Sequence, residues 1–155
     1  MKSGFLAAAL WLLCGCAGPR TATEPGKTAI PESADGAVAV VDAFQAALRA
    51  GDIDRAAGYL DPHVVILESG AAEHSRDEYL AVHAPADAQF MKMVKVTPGR
   101  RTTRIEGNLA WVASLSEFEI EKEGQIAFID SAETMVLRRD PEGWKIVHIH
   151  WSSHE

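Results

Sequence analysis

The sequence predicts an α+β domain in which about three helices precede one mainly antiparallel sheet. Between Ala37 and about His83 the apolar residues recur mostly at helical spacing. From Arg100 onward the texture changes to period two, and Gly-containing turns divide it into long runs. Helices first and strands after them is the order of folds that pack helices on one sheet face. The size agrees, since 155 residues at 47% hydrophobic and 24% charged suit one globular domain with additional segments.

Residues 1–15 read as a signal peptide. Lys2 gives a positive start, and the apolar run from Phe5 to Leu13, about nine residues, is far short of the ~20 a spanning helix needs. The run ends in Leu13-Cys14-Gly15-Cys16, which resembles a bacterial lipobox. The resemblance implies cleavage before Cys16 and lipidation of Cys16. It also implies an outer-membrane anchor facing the periplasm, because Ala17 is not the Asp of an inner-membrane retention signal. Cys14 departs from the pattern, where Ala or Ser is commoner. The competing reading is an ordinary secretory signal cut nearby. Both cysteines lie in this segment, so the rest of the chain offers no disulfide, zinc-thiolate site or thiol nucleophile. Residues 16–34 are rich in Pro, Gly, Ser and Thr without apolar periodicity, and are expected to form a flexible tether. The folded domain is expected over 35–155. The full chain carries a net charge of −7, and losing the signal peptide removes only a cation. An acidic domain without basic clusters argues against nucleic acid as a partner.

Ala37 to Ala50 places Val38, Val41, Phe44 (or Gln45), Ala47 and Leu48 at helical spacing, and Gly51 is expected to end this helix in the left-handed conformation. Asp52 caps a second short helix, Ile53 to Leu60, closed by Pro62. His63 to Glu68 is a β-branched strand. Ser75-Arg76-Asp77-Glu78 is a capping box for a third helix through about His83, and Pro85 interrupts the pattern before a further turn at Ala86 to Met91. Strands follow at Arg100 to Glu106, Leu109 to Lys122 and Gln125 to Arg139, with turns at Gly107-Asn108 and Glu123-Gly124. After the turn Asp140-Pro141-Glu142-Gly143 comes the last strand, Trp144 to Ser153. Strict alternation puts Trp144, Ile146, His148, His150 and Ser152 on one face, and Lys145, Val147, Ile149, Trp151 and Ser153 on the other. Both faces are largely apolar, so the strand is expected to be covered on both sides.

From Ala37 to Ser153 this pattern resembles the NTF2-like superfamily, including SnoaL-like and DUF4440 domains. The matching pieces are Ala50-Gly51-Asp52, Leu60-Asp61-Pro62 and Glu106-Gly107-Asn108-Leu109-Ala110-Trp111-Val112. The closing segment, with Glu133-Thr134, Arg138-Arg139-Asp140, Gly143-Trp144 and Val147-His148-Ile149-His150-Trp151-Ser152, is similar to the association domain of calcium/calmodulin-dependent protein kinase II. The resemblance implies a curved sheet wrapped by helices into a cone, a pocket at the open end, and dimerisation through the sheet. It does not select a chemistry, since shared fold does not license shared activity.

The candidate ligand-binding residues are Glu68, His74, Tyr79, His83, Trp111, Glu133, His148 and His150, with Glu68 and His150 as candidate catalytic groups. Imidazoles titrate near neutral pH, so His148 and His150 suit acid–base work, against the plainer reading of hydrogen-bonded structural histidines. Glu68 ends a strand where the cone mouth would lie. Glu133, on a face with Ile129, Met135 and Leu137, needs a partner, expected to be a histidine or arginine across the sheet. His74 and His83 flank the third helix, and both can face a pocket only if His74 precedes the cap. Tyr79 and Trp111 are also candidates for the core, and Phe90, Met91 and Met93 for apolar lining. His148-x-His150 lacks the further ligands of a metal site in any recognised spacing, and no cofactor fingerprint appears, so neither metal nor cofactor is expected.

Three functions follow as expectations. The first is a membrane-anchored periplasmic lipoprotein whose pocket binds a small, partly apolar molecule, with homodimerisation as an addition. The second is a cofactor-independent isomerase or dehydratase using pocket Glu and His groups. The third is an oligomerising interaction module anchored by exposed aromatics such as Trp144 or Trp151. The alternation leaves both faces of the last strand open as cavity lining, either His148 and His150 or Ile149 and Trp151.

Overall fold

The computed structural model describes residues 34–154. The expected signal peptide, Cys16 and all of the tether but Ala34 lie outside them. The elements are α1 (Ala34–Ala50), α2 (Ile53–Ala57), β1 (Leu60–Glu68), β2 (Ala71–Glu73), α3 (Arg76–Val82), α4 (Ala84–Met93), β3 (Lys95–Glu106), β4 (Leu109–Lys122), β5 (Gln125–Asp140) and β6 (Gly143–His154). The fold is α+β, as the change of period implied. Six strands form one curved, open sheet in the order β2-β1-β6-β5-β4-β3, antiparallel throughout except for the β1·β6 pair.

Local chemistry explains the helix ends. Gly51 at φ 72° closes α1, with Gly51 N–H on Leu48 O and Asp52 N–H on Ala47 O, both at 2.9 Å. Asp52 caps α2 by accepting from Arg55 N at 3.1 Å. Ser75 caps α3 through Glu78 N at 3.1 Å, while Glu78 reaches one residue beyond the cap to His74 N at 2.9 Å. Several expected boundaries move, with α1 starting at Ala34 instead of Ala37 and β3 at Lys95 instead of Arg100. The second helix stops at Ala57, because Tyr59 O already accepts Ile146 N at 2.9 Å and draws the chain into the sheet. Pro62 therefore lies inside β1, at a register irregularity between Leu60 and Val65, where a residue without an N–H is tolerated. Pro85 opens α4 in its first turn instead of interrupting a helix, since a helix's first N–H groups have no internal partner.

The core lies between α1 and the inner sheet face. Val41, Phe44, Ala47 and Leu48 of α1 pack with Val112, Met135, Leu137, Ile146 and Ile149, and Val64, Ile66 and Tyr79 close the other side. Burying such side chains contributes about 1.5–3 kcal/mol each relative to exposure.

A bulge in β6 overturns the expected alternation. Leu137 faces Ile146 but Val136 faces His148, so Val147 is an extra residue in the ladder. Trp144 and Ile146 point inward, and after Val147 the inward side passes to Ile149 and Trp151. His148 and His150 consequently sit on the outer face with Val136 and Thr134. The expected grouping of Trp144, Ile146, His148 and His150 on one face does not occur.

Candidate functional site

Above the packed core the inner sheet face and the helices enclose a cavity of about 880 Å³. α1 contributes Asp42, Gln45, Leu48 and Arg49, α4 contributes Asp87, Phe90 and Met91, and Glu68 stands at the end of β1. The sheet side runs through Arg101 of β3, Ser114, Ser116 and Phe118 of β4, Ile129, Ser131 and Glu133 of β5, and Trp151 of β6. These strand residues follow from register, since Glu133 pairs with both Ser114 and Trp151. β3 makes room by a second bulge between Pro98 and Arg101. There Gly99 approaches β4 so closely that a Cβ would stand 2.9 Å from Leu115 O.

Glu133 is the polar anchor of the floor, only 9% exposed. Gln45 Nε2 donates to its two oxygens at 2.9 and 3.1 Å, and Trp151 Nε1 donates to Oε2 at 2.9 Å. The partners are an amide and an indole, not the histidine or arginine the sequence led us to expect. Trp151 is itself fixed by rings, stacked on Phe44 at 6.5 Å and tilted against Tyr79 at 6.3 Å. Phe90 and Phe118 meet edge to face at 5.7 Å on the apolar side.

A second polar group lies near the end of β1. Tyr79 is fully buried and donates from its hydroxyl to Asp87 Oδ2 at 2.8 Å. Burial, the Asp87 charge and that hydrogen bond hold the phenol far above its ordinary range. Burial raises the Asp87 carboxyl, with the Tyr79 hydrogen bond and His83 opposing and Glu73 reinforcing. Burial likewise raises the Glu68 carboxyl, and the charges of Asp87 and Glu73 reinforce it against His83. His83 pairs through Nδ1 with the buried Glu73.

The predicted site residues thus divide. Glu68 and Glu133 line the cavity, Tyr79 holds the lining residue Asp87, and His83 pairs with Glu73 outside the lining. His74 precedes the cap of α3, as a pocket-facing residue would require, but it is exposed and outside the lining. Trp111 is 41% exposed on the outer face and is neither core nor lining. His148 holds Val65 O through Nδ1 at 2.8 Å on that face, the structural role weighed against catalysis, and His150 is exposed beside it. Phe90 and Met91 line the cavity, while Met93 is exposed. Sequence reasoning missed Asp87, because the segment after Pro85 read as a stray turn. It missed Gln45 as an anchor although helical spacing left Phe44 or Gln45 open. Among the described residues no cluster of His, Cys, Asp and Glu is arranged to hold a metal ion.

The cone-like sheet, the helices laid across it and the cavity between them define a family likeness that the sequence also carries. A family profile described as SnoaL-like domain matches residues 37–154. This chain belongs to the SnoaL-like family, within the NTF2-like fold. A relative of known structure comes from Shewanella frigidimarina, a protein assigned only provisionally as a ketosteroid isomerase. It is 36% identical, with 78% of this chain and 96% of that one covered, at a TM-score of 0.72. An NTF2-like protein with a cystatin-like fold from Novosphingobium aromaticivorans is 19% identical, covering 73% of this chain and 76% of its own, at 0.61. The calcium/calmodulin-dependent protein kinase II hub of S. rosetta is 22% identical, covering 86% and 100%, at 0.63. The last two likenesses establish fold alone. Comparison with curated proteins gave no match.

Proposed function

We propose that this SnoaL-like domain is the ligand-binding part of a lipid-anchored periplasmic lipoprotein, and that it takes up a small, partly apolar molecule. The observation that carries the binding reading is the cavity. Its volume of about 880 Å³ lies within the range of small-molecule sites, with apolar walls and a few convergent polar groups. The anchor is supported by the lipobox-like sequence ending at Cys16 and the Pro- and Gly-containing stretch after it. Binding of N-phenyl-1-naphthylamine, a neutral apolar fluorophore, tests the pocket. The parent chain should bind it, and Ser116→Phe, which places a ring inside the lining, should weaken binding at least about ten-fold. Equal affinity in both proteins would remove the pocket assignment. The anchor is tested separately by labelled-lipid incorporation, which Cys16→Ser should abolish.

One feature favours a second reading. Glu68 and Asp87, both held above the ordinary carboxylate range, face the same apolar space, an arrangement suited to proton transfer next to a carbonyl. The provisional assignment of the Shewanella relative agrees with it. Turnover of an enolisable ketone that Glu68→Gln abolishes would establish this reading, and turnover unchanged in that variant would exclude it.

Self-association is the expected addition. Leu109, Trp111, Leu115 and Phe128 are 41–54% exposed on the outer face, an apolar strip suited to a second copy. The exposed tryptophan there is Trp111, whereas Trp144 is 3% exposed and Trp151 packs on the core, so neither serves as the expected anchor.

A further inference from the structure

We propose that the cavity selects a cationic occupant, a protonated amine carried on an apolar body. This inference rests on the binding-pocket reading and adds the charge of the ligand.

The basis is an unbalanced set of charges around one half-open cavity with polar and apolar walls. The lining includes four acids, Asp42, Glu68, Asp87 and Glu133, and two cations, Arg49 and Arg101. Arg101 is spoken for, with Nη1 2.6 Å from Asp42 Oδ1 and Nε 3.0 Å from Ser114 Oγ. That leaves three carboxylates facing the cavity from three different elements, the end of β1, the first turn of α4 and the middle of β5. Against them stands Arg49, exposed in the last turn of α1. His83, the imidazole nearest to Glu68 and Asp87, is paired with Glu73, so its charge when protonated is already answered.

The partners of the three carboxylates are neutral. Glu133 is held by an amide and an indole, and Asp87 by a phenol. No hydrogen-bond donor among the described residues is placed on Glu68. Neutral donors orient a carboxylate without cancelling its charge, and in a desolvated cleft the residual field is screened less than in water. An ammonium group supplies charge-assisted donors to this set, and its apolar body falls against Leu48, Phe90 and Phe118. A carboxylate on the same body adds a further like charge, and a hydroxyl supplies a donor without the charge.

The test uses the mature chain carrying N-phenyl-1-naphthylamine and displaces it with three compounds sharing an indole body: tryptamine, tryptophol and indole-3-acetate. Tryptamine should displace the dye at a concentration about ten-fold below tryptophol, with indole-3-acetate the weakest. Glu68→Gln and Glu133→Gln should each reduce the advantage of tryptamine over tryptophol by about three-fold. Glu68→Gln carries the test if Glu133→Gln fails to fold, since Glu68 has no hydrogen-bonded partner to lose. A protein that binds the dye but shows equal or no displacement by the three compounds overturns the charge assignment and leaves the pocket standing. So does an amine advantage undiminished in the doubly substituted protein, because it then comes from neither Glu68 nor Glu133. A parent chain that does not bind the dye overturns the pocket reading and the ligand class together.

Discussion

Replacing Glu133 by alanine withdraws the acceptor for two donors at the cavity floor. Gln45 Nε2 reaches both carboxylate oxygens and Trp151 Nε1 reaches one, at 2.9–3.1 Å. A buried donor left without a partner costs about 1–3 kcal/mol. Both donors border a cavity large enough to admit water, so each falls at the low end, and the summed loss is about 2–3 kcal/mol. Glutamine at the same place behaves differently. Its oxygen accepts from Trp151, and Gln45, with its amide turned over, accepts from the new amino group. What is lost is the charge assistance, about 1 kcal/mol. Urea denaturation of the parent and both variants at neutral pH separates the cases by linear extrapolation. The order of stability should be parent, Glu133→Gln, Glu133→Ala. Equal stability of the two variants would refute the hydrogen-bond account. A glutamine variant more stable than the parent would show that the desolvated charge outweighs the network around it.

The raised carboxyl of Glu68 gives a pH-dependent prediction. A folded-state value above the unfolded one means that the native protein holds the proton more tightly, so stability falls as pH rises through the folded value. Glu68→Gln should therefore stabilise the protein at about pH 8, and the gain should vanish by about pH 4, below the ordinary glutamate value. A gain identical at both pH values would count against burial as its cause. Asp61, 7% exposed, accepts His63 N at 2.8 Å and Arg138 Nη2 at 2.7 Å, so Arg138→Ala should cost about 1–2 kcal/mol in denaturant, moderated because the arginine is half exposed. An unchanged midpoint would show that water replaces the guanidinium without loss. Trp111→Lys should abolish self-association in light scattering without lowering the denaturation midpoint, and a persisting oligomer would move the interface off the outer sheet face.

Much of the fold was legible because its signals are local. The capping residues Asp52 and Ser75, the left-handed Gly51 and the Glu123-Gly124 turn, with both residues at positive φ, act through their own backbone and nearest neighbours. The helix-then-strand order follows from periodicity along the chain, and the SnoaL-like resemblance rests on motifs between Ala37 and Ser153, which a family profile over residues 37–154 matches. Two site residues were legible for the same reason. Glu68 ends a strand, and Glu133 is an acid on an otherwise apolar strand face.

The rest of the site required the fold. A β-bulge is one unpaired residue in a ladder, defined by what the neighbouring strand does, and nothing in the composition around Val147 announces it. That single residue turns His148 and His150 outward and brings Trp151 to Glu133, so period-two reasoning failed there and nowhere else on β6. Gln45 lies 88 positions from Glu133 in the chain, and no local pattern links them. The sequence by itself determined the order of most helices and strands, because propensity, caps and turns are short-range, and its motifs carried the family resemblance. Only the tertiary structure decided which side chains share the cavity, because register and chain packing are long-range and one inserted residue reverses the face of all that follow.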